Sequence, residues 1–270
     1  MGTFRDFEHA GWENPDTCTA YRDRLGPVVA QAVEPLLDAA AVAAEDRVVD
    51  VATGAGIVAA AAVRRGASVI GLDFSTEQLR RARADHPAIA VARADAGALP
   101  LVSSSVDAVV SSFGMPHFPD PEAFLRECAR VLRPAGRLAF TVWAPPDRSP
   151  TFAAVFAALA HHGTMNVGLP PGPDFFRYAD PAAASRDLTE AGFADVSVTE
   201  VAQTWELPSP DDAVDALLHG TVHTAALLSR QPAGVLAKVR HAMRERLAAY
   251  DDGDAVRVPR PAVVVRATRP

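Results

Sequence analysis

Between Arg47 and Trp143 short runs of β-forming residues alternate with helical patterns, and this restricts the fold more than any other feature of the chain. The β-type runs are Arg47 to Ala52, Ala67 to Leu72, Ala88 to Arg93, Val106 to Ser111 and Gly136 to Trp143. Strands separated by helix-length segments are joined by crossovers, so a parallel sheet covered by helices is expected. The helix after the second run opens with Ser75-Thr76-Glu77-Gln78, a capping box in which Ser75 and Gln78 satisfy each other's backbone donors. The helix before the fifth run starts at Asp120-Pro121 and carries Phe124, Cys128, Val131 and Leu132 at core spacing. Pro134 and Gly136 mark its end.

Outside this block the pattern changes. Pro27 to Ala44 reads as a helix, kinked or broken at Pro35. After Trp143, prolines at 145, 146, 150, 170, 171 and 173 punctuate short helices, and Gly168 to Tyr178 reads as a loop. Two further strands, Val196 to Leu207 and Pro261 to Thr268, flank a helical insertion at about 211–250. The expected organisation is an N-terminal helical segment (1–45), a nucleotide-binding type core (46–144), a helical cover (145–195) and the last two strands with their insertion (196–270). With 270 residues and 49% hydrophobic content there is material for one large core.

A formal net charge of −7 supplies no basic footprint for a phosphate backbone, which argues against nucleic acid as a partner. Cys18 and Cys128 lie too far apart in sequence to form a metal or redox pair, and Cys128 reads as a small core hydrophobe. The start Met1-Gly2-Thr3-Phe4-Arg5-Asp6 lacks an apolar h-region, and the longest apolar stretches fall short of the roughly 18 residues that cross a bilayer. A cytoplasmic protein without a membrane partner is expected.

The first strand runs Val48-Val49-Asp50-Val51-Ala52-Thr53-Gly54-Ala55-Gly56 into a helical Ile57-Val58-Ala59. Glycines there let the backbone approach a ligand, and the helix start offers free N–H groups. Gly54-x-Gly56-x-x-Ala59 also satisfies a nicotinamide-dinucleotide fingerprint, and Asp73 after the second strand can hold a ribose in either case. From this loop alone both cofactors remain open.

Three later stretches separate them: Arg93-Ala94-Asp95-Ala96-Gly97-Ala98-Leu99-Pro100, Ser105-Val106-Asp107-Ala108-Val109-Val110-Ser111-Ser112-Phe113, and Ala129-Arg130-Val131-Leu132-Arg133-Pro134-Ala135-Gly136-Arg137-Leu138. With them the region from Asp46 to Trp143 closely resembles the class I S-adenosylmethionine (SAM)-dependent methyltransferases, especially the small-molecule branch that includes ubiquinone and menaquinone C-methyltransferases. The resemblance implies an α/β, Rossmann-like fold with a seven-stranded, mostly parallel sheet, helices on both faces and a helical cover. It implies that Asp50, Gly54 and Gly56 wrap the methionine part of SAM, with Ala52 where the family has its first loop glycine. It also implies that Asp73, with Phe74, holds the ribose, that Asp95 lies beside the adenine amino group and that Ala96 gives the ring a backbone contact. Ser111 to His117 would face the sulfonium and the methyl acceptor. SAM carries no phosphate, and no lysine or arginine stands between Asp50 and Val63; Asp50 suits the cofactor's positive groups.

Methyl transfer needs positioning more than a covalent nucleophile. If the acceptor must lose a proton, His117 is the candidate base, the alternative being a capping or packing role. Trp12 and Tyr21 are candidates for a lid over SAM, or for packing of an N-terminal helix. Phe113, Met115, Phe175, Phe176 and Tyr178 are candidates for an acceptor pocket, which the apolar cover segments make largely hydrophobic. Trp205 reads as core. His219 and His223, four apart, would share a helical face, but without a third ligand no metal is expected.

The expected function is methylation of a small organic molecule, in secondary metabolism. Behind it stand a SAM-fold protein that performs a cyclisation or rearrangement, and an NAD(P)-dependent oxidoreductase. A base methyltransferase is disfavoured because Ser111-Ser112-Phe113-Gly114 is not an Asn-Pro-Pro-aromatic motif.

Overall fold

The computed structural model describes residues 2–232 and 234–270. In chain order its main elements are α1 (Phe4–Trp12), α2 (Pro15–Ala20), α3 (Gly26–Ala30), α4 (Val33–Ala39), β1 (Arg47–Val51), α5 (Ile57–Arg64), β2 (Ser68–Asp73), α6 (Thr76–Asp85), β3 (Ala90–Arg93) and β4 (Val106–Ser112). There follow α7 (Pro121–Val131), β5 (Leu132–Trp143), α8 (Pro150–His162), α9 (Pro181–Glu190), β6 (Ala194–Val201), β7 (Thr204–Leu207), α10 (Pro210–Gly220), α11 (His223–Ser229), α12 (Val235–Leu247), β8 (Val256–Pro259) and β9 (Ala262–Thr268).

These elements form two compact units. The sheet unit comprises Ala30–Trp143, Gly172–Val201 and Ala262–Pro270. Its seven strands lie in the order β3-β2-β1-β4-β5-β9-β6. The first five are parallel, while β9 runs antiparallel to both β5 and β6. β1 is an inner strand buried on both faces, with Val48 packed under α4 and α5, and its Val48, Val49 and Val51 accordingly form a nearly continuous apolar run. The chain moves outward from β1 to β2 and β3, then returns to place β4 on the other side of β1. That reversal opens a crevice at the carboxyl ends of β1 and β4, where open α/β sheets bind ligands.

Helix packing fixes the frame around the crevice. The alanine-rich α5 buries Val58 and Ala59 through Ala62. Val58, Ala61 and Ala62 join Leu36 and Leu37 of α4 over Val48 and Val110. Ala59 and Ala60 pack instead with Ala82 and Ile89. At α7 the Asp120 carboxylate accepts the Ala123 N–H at 2.8 Å, Pro121 occupies the first turn, and Phe124, Leu125, Cys128 and Val131 face the core.

The helical unit comprises the described residues through Val29, Ala144–Pro171 and Ala202–Pro261. It contains α1, α2, a π-helical turn at Tyr21–Leu25, α8, α10, α11, α12 and the hairpin-like pair β7–β8. No helix among the described residues is long and apolar enough to cross a membrane.

Several expectations are corrected. The helix expected over Pro27 to Ala44 is two helices, and the break falls at Gln31-Ala32, before Pro35. Pro35 sits in the first turn of α4, where its missing N–H costs nothing. The expected helix end at Pro134 and Gly136 is instead a strand irregularity. The helix ends at Val131, and the β4–β5 register jumps from Val106↔Leu132 to Ala108↔Arg137 with Ala135 at φ +61°. The strand expected over Val196 to Leu207 is split, since β6 pairs with β9 whereas β7 pairs with β8 outside the main sheet. Parts of the 1–45 and 145–195 segments group with the sheet unit. Leu36 and Leu37 tie α4 to the sheet, and residues 172–195 belong there too because α9 and Tyr178 pack on it.

Candidate functional site

The loop after β1 is built from conformation first. Ala52, Gly54 and Gly56 adopt left-handed backbone angles, φ +57°, +54° and +87°. Gly56 stands at the N-cap of α5, where it has no side chain to cap the helix. Asp50 does that work from a distance: its Oδ2 accepts the Ala59 N–H at 3.1 Å and the Thr53 hydroxyl at 2.7 Å. One carboxylate thus ties the loop to the third residue of the helix. Asp50 is 1% exposed, and its Oδ1 is buried without a hydrogen-bond partner. Burial pushes the Asp50 carboxyl up to about 7, the bonds from Thr53 and Ala59 pull against that, and the nearby Asp73 charge adds to the rise.

Asp73, at the end of β2, accepts the Gly54 N–H on Oδ2 and the Ser75 N–H on Oδ1, each at 2.9 Å. It clamps the glycine loop to the start of α6, where Ser75 Oγ accepts the Gln78 N–H at 3.1 Å. A Cβ built on Gly54 would come no closer than 3.9 Å to Gln78 Oε1, so the space over this glycine is open. Beside the clamp lies a narrow recess lined by Ala52, Asp73, Phe74, Ala94, Ala96, Leu99 and Phe118. Apart from Asp73 its lining residues are apolar. Asp95, between Ala94 and Ala96, accepts the Gly97 N–H at 2.9 Å in a tight turn.

The segment after β4 meets the glycine loop directly. A Cβ on Gly114 would fall 2.6 Å from Ser111 Oγ and 2.8 Å from the Ala52 Cβ. Ser111 is fully buried and its hydroxyl has no hydrogen-bond partner. Phe113 takes φ +56°, is held by its N–H to Thr141 Oγ1 at 3.0 Å, and stacks on Trp143 with ring centroids 3.9 Å apart. Met115 is buried in the short turn Met115–His117, while His117 is half-buried with its ring 6.4 Å from that of Phe175. Phe175 in turn meets Phe176 at 5.0 Å.

The structure therefore brings together Asp50, Ala52, Gly54, Asp73, Phe74 and Ala96, with Asp95 alongside, and it places Ser111 next to Gly114 and Ala52. Gly56 is close-packed and not open: a Cβ there would meet Ile89 Cδ1 at 2.5 Å. Tyr178 is 3% exposed, with its ring edge-on to Phe140. Phe113 and Met115 are likewise buried, Phe113 against Trp143. Trp12 and Tyr21 lie in the helical unit, edge-to-face at 5.3 Å, with Trp12 Nε1 donating to Glu8 Oε2 at 3.1 Å. Trp205 is buried and donates from Nε1 to the Arg24 carbonyl at 2.9 Å. His219 and His223 do not share a helix, because α10 ends at Gly220 and α11 begins at His223. Among the described residues no group of three or more His, Cys, Asp or Glu is placed to hold a metal ion.

Sequence reasoning missed Thr53, Thr141, Leu99 and Phe118. Thr53 was legible, three residues after Asp50 in a turn. Leu99 stands in the Arg93 to Pro100 stretch, whereas Thr141 and Phe118 reach the site only through tertiary folding and left no local signal.

The strand order is that of a Rossmann-like methyltransferase fold, with the glycine loop and the acid at the end of β2 placed at its crevice. Sequence comparison agrees: residues 49–140 match the family described as methyltransferase domain. Over 111 residues the chain is 37% identical to a demethylmenaquinone methyltransferase of Corynebacterium kroppenstedtii, covering 41% of this chain and 47% of that one. The chain spans about half the length of the curated relatives it matches. Among solved structures, Haemonchus contortus phosphoethanolamine N-methyltransferase 2 in complex with S-adenosyl-L-methionine matches with a TM-score of 0.61 at 19% identity, covering 100% of this chain and 60% of that one. The YcgJ protein of Bacillus subtilis matches with a TM-score of 0.56 at 18% identity, covering 88% and 97%. The core of this chain thus resembles a methyltransferase domain, with the menaquinone-type enzymes among its relatives.

Proposed function

We propose that the chain binds SAM at the carboxyl ends of β1 and β2 and transfers its methyl group to a small, largely hydrophobic organic molecule. The observation that carries this is the pairing of an unsatisfied buried oxygen on Asp50 with the open backbone of Gly54 beside the Asp73 carboxylate. A buried carboxylate oxygen without a donor is costly in the apoprotein, and an ammonium donor removes the cost. A pyrophosphate would meet Asp50 as a like charge.

SAM supplies an electrophilic methyl on a positively charged sulfur; the acceptor's lone pair forms the new bond as the carbon–sulfur bond breaks. The protein's part is positioning. Asp50 holds the cationic amino end, Asp73 stands where the ribose hydroxyls would reach it, and Phe74, Ala96 and Leu99 offer apolar faces to the purine. His117, at the end of the segment after β4 with Phe175 beside it, is placed to take a proton from an acidic acceptor. The relatives named demethylmenaquinone methyltransferases make a quinone-type ring the first acceptor to try. The acidic balance of the chain disfavours nucleic acid. Two free thiols, Cys18 and Cys128, agree with a reducing, cytoplasmic setting.

The test is calorimetric titration with SAM, S-adenosylhomocysteine and NAD in parallel, followed by S-adenosylhomocysteine release over a panel of quinone, phenol and amine acceptors. Binding of the first two ligands with no NAD signal supports the cofactor assignment. NAD binding alone overturns it, and SAM binding without S-adenosylhomocysteine release favours a rearrangement enzyme.

A further inference from the structure

Between β3 and β4 the chain runs through a loop without helix or strand, and this loop carries Ala94, Ala96 and Leu99 of the recess lining. A loop forms a fixed wall only if its backbone groups are bound by something outside it. Its first half is tied to the cofactor side, since the Ala94 N–H donates to the Asp73 carbonyl at 2.9 Å. The Asp95 turn then brings Gly97 against α7, where a built Cβ would stand 3.3 Å from the Ala123 Cβ. From Leu99 onward the loop is held by two charged side chains of α7.

Glu127 and Arg130 stand three residues apart on this helix and pair through two bonds, Nε to Oε1 at 2.7 Å and Nη2 to Oε2 at 2.8 Å. Such a pair on a helix surface adds little by itself. Here both members also grip the loop backbone. Glu127 Oε2 accepts the Leu99 N–H at 2.6 Å, and Arg130 Nη2 donates to the Leu99 carbonyl at 2.9 Å. Arg130 Nη1 donates to the Leu101 carbonyl at 2.8 Å and to Ser103 Oγ at 3.3 Å. The five N–H donors of the guanidinium are thereby all used. The Arg130 carbonyl accepts the Ser104 N–H at 2.9 Å, so one residue is bonded to the loop at four places. Arg130 holds the Glu127 carboxyl below the usual carboxylate range, and the Leu99 N–H adds to this against burial.

Both backbone polar groups of Leu99 are therefore bonded to α7, while its side chain, 4% exposed, lines the recess. Leu99 cannot leave the wall without breaking charge-assisted bonds. The arrangement depends on a planar fork that reaches two carbonyls and a carboxylate together, which an ammonium cannot copy. By contrast, Arg65 pairs with Glu34 and Asp38 of α4 and takes no part in the recess lining.

We propose that Glu127 and Arg130 are positioning residues for the purine of the cofactor, acting through Leu99 and not by touching the ligand. The proposal rests on the reading of the recess as the purine site of SAM.

The full chain is tested by calorimetry with SAM and by thermal melting. Arg130→Met should weaken SAM about tenfold, the scale of one charge-assisted hydrogen bond, and Arg130→Lys, which keeps the charge but not the fork, by less. The reversed pair Glu127→Arg, Arg130→Glu restores an ion pair but presents a carboxylate to the Leu99 and Leu101 carbonyls. It should regain none of the affinity, even where its melting temperature returns. Arg65→Met, which removes another arginine with two acidic partners, should bind SAM like the wild type. Hydrogen exchange at the Leu99 amide, measured without SAM, should quicken at least about tenfold in Arg130→Met. Far-UV circular dichroism shows whether that variant folds; if it does not, Arg130→Lys carries both measurements. Wild-type affinity in the folded variants, recovery in the reversed pair, an equal loss in Arg65→Met or unchanged Leu99 exchange overturns the proposal alone. A wild-type chain that does not bind SAM overturns the cofactor reading and the proposal with it.

Discussion

Asp50 and Asp73 are neighbouring acids with different duties. Asp73 spends one lone pair on each of two backbone N–H groups at the mouth of the crevice. Asp73→Ala should therefore weaken SAM binding by about tenfold to a hundredfold by calorimetry, since it removes charge-assisted bonds and frees the glycine loop. Wild-type affinity in a folded variant would remove Asp73 from the site. Asp50 gives two opposite pH trends, because its carboxyl is raised from 3.8 to about 7 in the folded protein. Between those values the native state holds a proton that the unfolded state has released, so the stability of the ligand-free protein from this group falls as pH rises through the window. SAM affinity should move the other way, rising toward and beyond pH 7 as the ionised carboxylate becomes available to an ammonium. Calorimetry and denaturant midpoints from pH 5 to 8 measure both, and Asp50→Asn should flatten both curves. His117→Ala should leave SAM affinity unchanged and slow turnover of a hydroxyl or carbon acid acceptor by about a hundredfold or more if it removes a proton. An unchanged rate across pH assigns His117 to packing with Phe175.

At the scale of elements, the glycine loop works because it joins β1 to α5 without distorting either. The three left-handed positions turn the chain, and the Asp50 carboxylate replaces the cap that Gly56 lacks. Gly56 is doubly constrained, by its φ of +87° and by Ile89 Cδ1 at 2.5 Å from a built Cβ. Gly56→Ala should cost about 2–4 kcal/mol, from left-handed strain and overpacking together, read as a lower urea midpoint. A loss below about 1 kcal/mol would mean that the loop relaxes freely. Ala52 and Phe113 bear left-handed strain without being glycine. They are in adjoining loops that touch through Gly114, so the strain is held where the two loops are locked together.

On the scale of the whole molecule, a ligand that binds only the folded chain should raise the melting temperature by mass action. At a hundredfold excess over its dissociation constant SAM should add about 2.7 kcal/mol, which for a chain of this size is several degrees, while NAD should add nothing. The reverse pattern would return the chain to the dinucleotide reading.

The alternation of β and helical patterns, the loop from Asp50 to Gly56 and the acid at Asp73 were legible in the sequence because each depends on local geometry: periodicity, left-handed turns and a carboxylate at a strand end. The same holds for Asp120-Pro121 and for the Ser75 hydroxyl cap on Gln78, which form within one turn, whereas the Ser75 N–H of the expected capping box donates to the Asp73 carboxylate. Tertiary structure alone decided which residues bury one another. It turned Tyr178 onto Phe140, set Thr141 beneath Phe113, carried α4 into the sheet unit and split the strand expected over Val196 to Leu207 between two pairings. Arg260 shows the limit most clearly. Its neighbours Tyr21, Phe152 and Trp205 come from three separate stretches of sequence, and the charge of a buried arginine acquires meaning only from what surrounds it.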